Sequence, residues 1–259
     1  MPKKKAATPR KSLQHKTVGI IGYGEIGKAI GYCYFKKRRK FAVSDPKLNA
    51  AIVGQVDVLH ICLPNHPRFP EEAVIKAVKD HGENAIVIIH STVEPGTTER
   101  LRKQSGHRFI VHSPVLGVHP NLAPALLTFE KWVGADDSGA ARLAVEELRS
   151  IGINATARRG SKVTEFAKLA CLLQRSVSIA LHDILAQWSE KEGVSFDTII
   201  DWNHLYNKGY WKMNMPEVIR PIVYAPNGKI GGHCQIPAAK ILKKRYGGNG
   251  FIDEVLKLA

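Results

Sequence analysis

Apolar and polar positions follow two regimes along the chain. As far as residue 151, short apolar runs alternate with amphipathic stretches. Thr17 to Ile21 is apolar and closes on Gly22-Tyr23-Gly24-Glu25-Ile26-Gly27, after which Lys28 to Phe35 continues at helical spacing. Further apolar runs span Phe41 to Ser44, ending at Asp45, and Val56 to Leu63, ending at Pro64-Asn65-His66-Pro67. Unbroken apolar runs between turn signals read as buried parallel strands. Ala85 to His90, Phe109 to His112 and Lys131 to Gly134 extend the strand series, and Glu71 to Asp80, Thr97 to Gln104 and Ser138 to Ile151 read as helices. Strands alternating with helices imply a doubly wound parallel sheet.

The second regime begins after Arg158-Arg159-Gly160. From Lys162 to Glu192 there is no Gly or Pro, and Phe166, Leu169, Leu173, Val177, Ala180, Ile184 and Trp188 recur every three or four positions. That spacing predicts one helix about 45 Å long. The boundary is placed near residue 155, giving a basic tail over 1–16, a nucleotide-binding domain over 17–155 and a mainly helical domain over 156–259. The expected fold class is α/β, a Rossmann-type sheet followed by a helical part built on the long helix. A helix of that length suits a homodimer formed through residues 162–192.

Charge changes this picture little. The formal net charge is +15, but Lys3, Lys4, Lys5, Arg10, Lys11 and Lys16, with Lys36, Lys37, Arg38, Arg39 and Lys40, gather much of it into two short stretches. No known nucleic-acid module accompanies them, so a solvated tail and helix end are the expectation. Cys33, Cys62, Cys171 and Cys234 lack the pairwise spacing of a metal knuckle or a disulfide framework, and no metal is expected. No unbroken apolar run approaches the ~20 residues of a membrane span. The first segment is also unlike a signal peptide, so the expected location is the cytoplasm.

The glycine turn carries the first chemistry. Gly22 permits the tight turn, Gly24 lets a pyrophosphate approach the backbone, and Gly27 lets the helix pack on its strand. Tyr23, Glu25 and Ile26 complete the turn, whose helix N-terminus offers N–H groups to phosphate. Asp45 follows Gly22 by 23 residues, at the end of the second run. A carboxylate there accepts from ribose hydroxyls and repels a 2′-phosphate, which favours NAD over NADP, although Lys47 nearby tempers the preference.

Four later segments, in order, resemble the UDP-glucose, UDP-mannosaminuronate and GDP-mannose dehydrogenase family: Ile61-Cys62-Leu63-Pro64, Ser91-Thr92-Val93-Glu94-Pro95-Gly96-Thr97-Thr98, Thr164-Glu165-Phe166-Ala167-Lys168-Leu169 and Gly231-Gly232-His233-Cys234. The resemblance implies oxidation of a primary alcohol of a nucleotide sugar to a carboxylate in two NAD-dependent steps. It makes Cys234 the thiol that captures the aldehyde, Lys168 the stabiliser of the developing oxyanion and Thr92 the group that positions water. Leu63, Pro64, Ser91 and Thr92 join the cofactor-binding set, and His233 is either a cation beside Cys234 or loop packing.

Three departures accompany the resemblance. The family's Ser/Asn/Cys-Pro-Glu triplet is Ser113-Pro114-Val115 here, so a general base is missing; His119 either replaces it or, like His107 and His112, is structural. Leu172 stands where the family has an asparagine, and Ala238 where it has an aspartate. The chain also stops 25 residues after Cys234, where family members continue into a domain that binds the nucleoside diphosphate. The leading expectation is an NAD-dependent oxidoreductase acting on an alcohol or aldehyde carbon of a sugar-like or nucleotide-sugar substrate. Two others stand beside it: hydride transfer without covalent capture, with Cys234 incidental, and an NAD-binding protein that has lost the two-step oxidation.

Overall fold

The apolar runs become strands β1 (Val18–Ile21), β2 (Ala42–Ser44), β3 (Val58–Ile61), β4 (Ile86–Ile89), β5 (Ile110–His112) and β6 (Lys131–Ala135). A seventh, β7 (Ala155–Arg159), pairs in parallel with β6. The sheet order is β2-β1-β3-β4-β5-β6-β7, parallel throughout except for the antiparallel β5–β6 pair. The sheet thus runs to Arg159, past the boundary placed near residue 155. The structure is a computed structural model and describes residues 16–65, 68–118, 120–226, 229–230 and 234–259. The chain divides into two compact units, Met1–Ala167 and Lys168–Ala259.

In the first unit, helices cover both faces of the sheet. Helix α1 (Glu25–Lys36) and helix α5 (Ser138–Ser150) share a core with Val18, Ile20, Val58, Ile88, Val111 and Val133. Helix α2 (Glu71–His81) and helix α3 (Thr97–Ser105) cover the opposite face, where Leu59, Ile61, Val87 and Ile89 pack. Successive residues of β3 alternate between the two cores, as the pleat requires. Leu59, Ile61, Ile88 and Ile89 are fully buried, each stabilising by about 2 kcal/mol. The chain leaves β1 for the edge strand β2 and returns on the other side of β1 to β3. Strand order reverses there, and ligands of open α/β sheets bind outside the carboxyl ends of such strands.

A short helix α4 (Leu122–Thr128) follows β5, and helix α6 (Ser161–Lys191) begins two residues after β7. By length and composition alone α6 meets the criteria for a bilayer-crossing helix, which the lack of an unbroken apolar run did not suggest.

The second unit is helical. Besides α6 it holds α7 (Asp197–Lys212), α8 (Gln235–Tyr246) and α9 (Gly250–Lys257). Leu169 of α6 packs with Ala238 and Leu242 of α8 and Ile252 of α9, and Lys243 pairs with Asp253 at 2.8 Å.

Candidate functional site

Gly22 adopts φ +84°, and a Cβ there would lie 2.8 Å from the Cys62 carbonyl oxygen. A Cβ at Gly27 would lie 2.1 Å from the Gly22 carbonyl oxygen, so the helix fits on its strand only without one. Around Gly24 a Cβ would meet nothing within 4 Å, and no side chain caps α1 at this residue. Open space over an uncapped helix N-terminus is what a pyrophosphate needs, so the turn fits a dinucleotide.

Asp45 is tied to this turn. One carboxylate oxygen accepts from the Tyr23 backbone N–H at 2.6 Å, and the other accepts from Lys47 N–H at 2.8 Å. These two bonds, Tyr23's first, hold the carboxyl below its ordinary pKa and keep it ionised; Lys47 and Lys28 add to the effect.

The loops after β3 and β4 are stitched together. The Ser91 hydroxyl donates to the Leu63 carbonyl at 2.6 Å, and the Asn65 amide donates to the Thr92 carbonyl at 2.7 Å. Gly22 to Gly27, Asp45, Leu63, Pro64, Ser91 and Thr92 therefore stand at or beyond the carboxyl ends of β1 to β4, all in the first unit. Cys62, buried beside them, has its thiol pushed up to about 12 by burial, and burial takes Cys33 to about 11. Both behave as small apolar residues.

Lys168 and Cys234 belong to the second unit. Lys168 lies on α6 and Cys234 is the exposed residue just before α8. Desolvation lowers the Lys168 ammonium pKa below the ordinary lysine value, and the Cys234 and Cys171 thiols are near enough to oppose that shift in part. Two of the residues expected at a reacting centre are thus electrostatic neighbours. Gly231, Gly232, His233 and His119 lie outside the described residues.

The three departures from the family pattern are all accommodated as packing. Val115 is buried in the core shared by α1 and α5, Ala238 is fully buried, and Leu172 packs against the Leu169–Ala238–Leu242 cluster. His107 and His112 are structural: His107 bonds the Ala85 carbonyl at 2.8 Å, and His112 bonds the Thr164 hydroxyl at 2.8 Å and the Ser91 carbonyl at 3.0 Å.

Sequence reasoning missed two buried charges beside these loops. Glu165 accepts from the backbone N–H of Gly96 and of Thr98, fastening the segment that begins at Ser91 to the first turns of α6. Burial outweighs these bonds and raises its carboxyl pKa. The Lys131 ammonium donates to the carbonyls of Ser113 and Pro114, both at 2.7 Å. A charge at a position whose neighbours in the pattern are core is the available signal, and both residues carry it.

No family model matches the chain. Over 164 residues, 62% of its length, it is 26% identical to UDP-N-acetyl-D-mannosamine dehydrogenase of Methanocaldococcus jannaschii, of which that stretch spans 36%. The chain therefore spans about a third of the length of the curated relatives it matches. Among solved structures, UDP-D-ManNAc dehydrogenase of Pyrococcus horikoshii superposes with a TM-score of 0.76 at 20% identity, covering 93% of this chain and 68% of that one. The 3-hydroxyisobutyrate dehydrogenase of Mycobacterium tuberculosis gives 0.68 at 16% identity, covering 93% and 91%. At these identities the structural likeness speaks for the fold. The curated sequence relatives are UDP-N-acetyl-D-mannosamine dehydrogenases, the class of nucleotide-sugar enzyme that the motifs resemble.

Proposed function

We propose that this chain, a relative of UDP-N-acetyl-D-mannosamine dehydrogenases over 62% of its length, is an NAD-dependent oxidoreductase acting on an alcohol or aldehyde carbon of a sugar-like or nucleotide-sugar substrate. The observation that carries the reading is a glycine turn and Asp45 suited to a dinucleotide in the first unit, together with a desolvated Lys168 that lies within electrostatic reach of Cys234 in the second. NAD, when bound, supplies the hydride acceptor. The turn from Gly22 to Gly27 holds its pyrophosphate, Asp45 accepts from its ribose hydroxyls, and Leu63, Pro64 and Ser91 line its path. The Lys168 ammonium steadies negative charge on the substrate oxygen, Cys234 captures the aldehyde and Thr92 holds water. The reading includes a cytoplasmic homodimer formed through the long helix, on which Leu181 and Trp188 are exposed apolar residues, with residues 156–259 serving dimerisation and substrate.

Val115, Leu172 and Ala238 favour a shorter reaction than the family's. Where a hydrolytic second half needs a base and polar partners, this chain has apolar side chains, buried at Val115 and Ala238 and partly buried at Leu172, which argues against the family's full two-step oxidation. The same observation supports a second reading, a nucleotide-binding protein without catalysis. Calorimetry of NAD binding with a panel of UDP- and GDP-sugars, followed by absorbance of reduced nicotinamide, separates the two. Reduction of NAD by a sugar that is lost in Cys234→Ser supports the enzyme. Binding without reduction by any of them leaves the second reading.

A further inference from the structure

Two basic stretches that lie apart in the sequence meet in the fold. Residues 1–40 hold twelve Lys and Arg against one acidic residue, Glu25, so +11 of the formal +15 resides there. Lys16, the first described residue, lies 3.3 Å from one oxygen of the Glu147 carboxylate, and Arg39, in the turn after α1, lies 2.7 Å from the other. Glu147 also accepts from the Tyr34 hydroxyl at 2.8 Å, at one end of a Tyr34–His60–His90 chain of buried hydrogen bonds. The carboxylate is fully buried, so it pins the two stretches together without turning its charge outward.

Around that junction the surface is both basic and aromatic. Lys36, Lys37, Arg38 and Lys40 are exposed, and Lys28, Tyr32, Phe35 and Lys36 form the outward stripe of α1. Phe35 is 74% exposed and Tyr32 43%, and the Lys36 ammonium lies 5.7 Å from the centre of the Tyr32 ring. Helix α1 spans about 18 Å and carries the chain from the glycine turn, at the carboxyl ends of the strands, to their amino ends, where Lys16 also stands just before β1. The basic face therefore lies at the end of the sheet away from the nucleotide turn. Residues before Lys16 add Lys3, Lys4, Lys5, Arg10 and Lys11, all tethered within ~45 Å of the junction.

We infer that this face docks on an anionic lipid surface. Clustered Lys and Arg are drawn to acidic headgroups, and each cation brought within a Debye length adds to the attraction. Phe35 decides between lipid and nucleic acid. A phosphate backbone rewards the cations but leaves the Phe35 ring in water unless an unpaired base reaches it. The interfacial layer of a bilayer takes an aromatic ring while the flanking lysines keep their ammonium groups at headgroup level. The contact is peripheral, and it leaves the nucleotide turn clear at the other end of α1.

Sedimentation of the full chain with vesicles tests this, using phosphatidylcholine alone and phosphatidylcholine mixed with phosphatidylglycerol. Binding is expected only to the mixed vesicles, and it is expected to fall as salt rises. Lys36→Glu with Lys37→Glu, and separately deletion of residues 1–15, are each expected to weaken it about tenfold or more. Phe35→Ser changes no charge and is expected to weaken it about threefold. Lys76→Glu with Lys79→Glu makes the same change of charge on α2, over the opposite face of the sheet, and is expected to bind as wild type does. All the substituted side chains are exposed, and thermal unfolding checks that each variant folds. Equal binding to both kinds of vesicle, equal losses from the two charge reversals, or undiminished binding in Phe35→Ser or the deletion overturns the proposal. So does a failure of wild type to bind the mixed vesicles; retention of duplex DNA through Lys36 and Lys37 in that case assigns the face to nucleic acid.

Discussion

Glu165 grips Thr98 twice, taking its backbone N–H at 2.8 Å and its hydroxyl at 2.6 Å on the same carboxylate oxygen. The other oxygen takes the Gly96 N–H at 2.6 Å. These donors stand at the start of α3, where a helix lacks partners of its own. Glu165→Ala strands them in a buried place and is expected to lower the stability of the first unit by about 3 kcal/mol, read by urea unfolding. A loss below ~1 kcal/mol would show that water replaces the carboxylate.

Gly24 and Gly27 are expected to respond in opposite ways to the same added methyl. Gly27→Ala drives a Cβ into the Gly22 carbonyl and is expected to lower Tm sharply. Gly24→Ala meets open space, so Tm should hold while NAD binding weakens at least tenfold by calorimetry. If Gly24→Ala binds NAD as wild type does, the pyrophosphate does not pass over this residue.

The lowered pKa of Lys168 sets a pH limit on the proposed reaction. Desolvation favours the neutral amine, so the ammonium is lost at a lower pH than for a free lysine. An activity that needs the charged form therefore falls on an alkaline limb that lies below the ordinary lysine value of about 10.4. Lys168→Arg, which stays charged, is expected to remove that limb even at a reduced rate, and Lys168→Met to leave no turnover. An alkaline limb unchanged in Lys168→Arg would assign it to another group.

Lys131 is nearly inaccessible yet gives charged bonds to two consecutive carbonyls. Lys131→Met keeps the volume but removes the charged donor from both carbonyls, leaving Ser113's with only its His90 contact, at a cost of about 3 kcal/mol by urea unfolding. An unaltered midpoint would mean the carbonyls find partners elsewhere.

Much of the fold is legible because buried parallel strands read as short apolar runs, a signature that β1, β3 and β4 carry most clearly. The long helix shows too: the period predicts 162–192 and the structure gives Ser161–Lys191. β7 is hidden because it lies at the sheet edge with its burial alternating, and its sequence ATARR reads as a basic turn. α4 is hidden because it is short and holds Pro124, tolerable only in a first turn, where the missing N–H would have had no partner. At the site, the glycine turn and Asp45 are local in sequence and could be seen. The Tyr34–His60–His90 chain and the Glu165 clamp join residues 26 to 69 positions apart, and no local pattern encodes which buried polar groups meet. Glu147 gives one hint, standing in the stripe of α5 formed by Ala140, Ala144 and Leu148, a carboxylate where the period asks for an apolar side chain.

Both oxygens of Asp45 are already committed to backbone N–H groups before any nucleotide arrives. Its rotamer is fixed by folding, so a ribose that docks there immobilises a side chain with little motion left to surrender. Freezing a mobile side chain in a complex costs about 0.5–1.5 kcal/mol, and the proposed docking of ribose on Asp45 meets that cost already settled in the making of the fold.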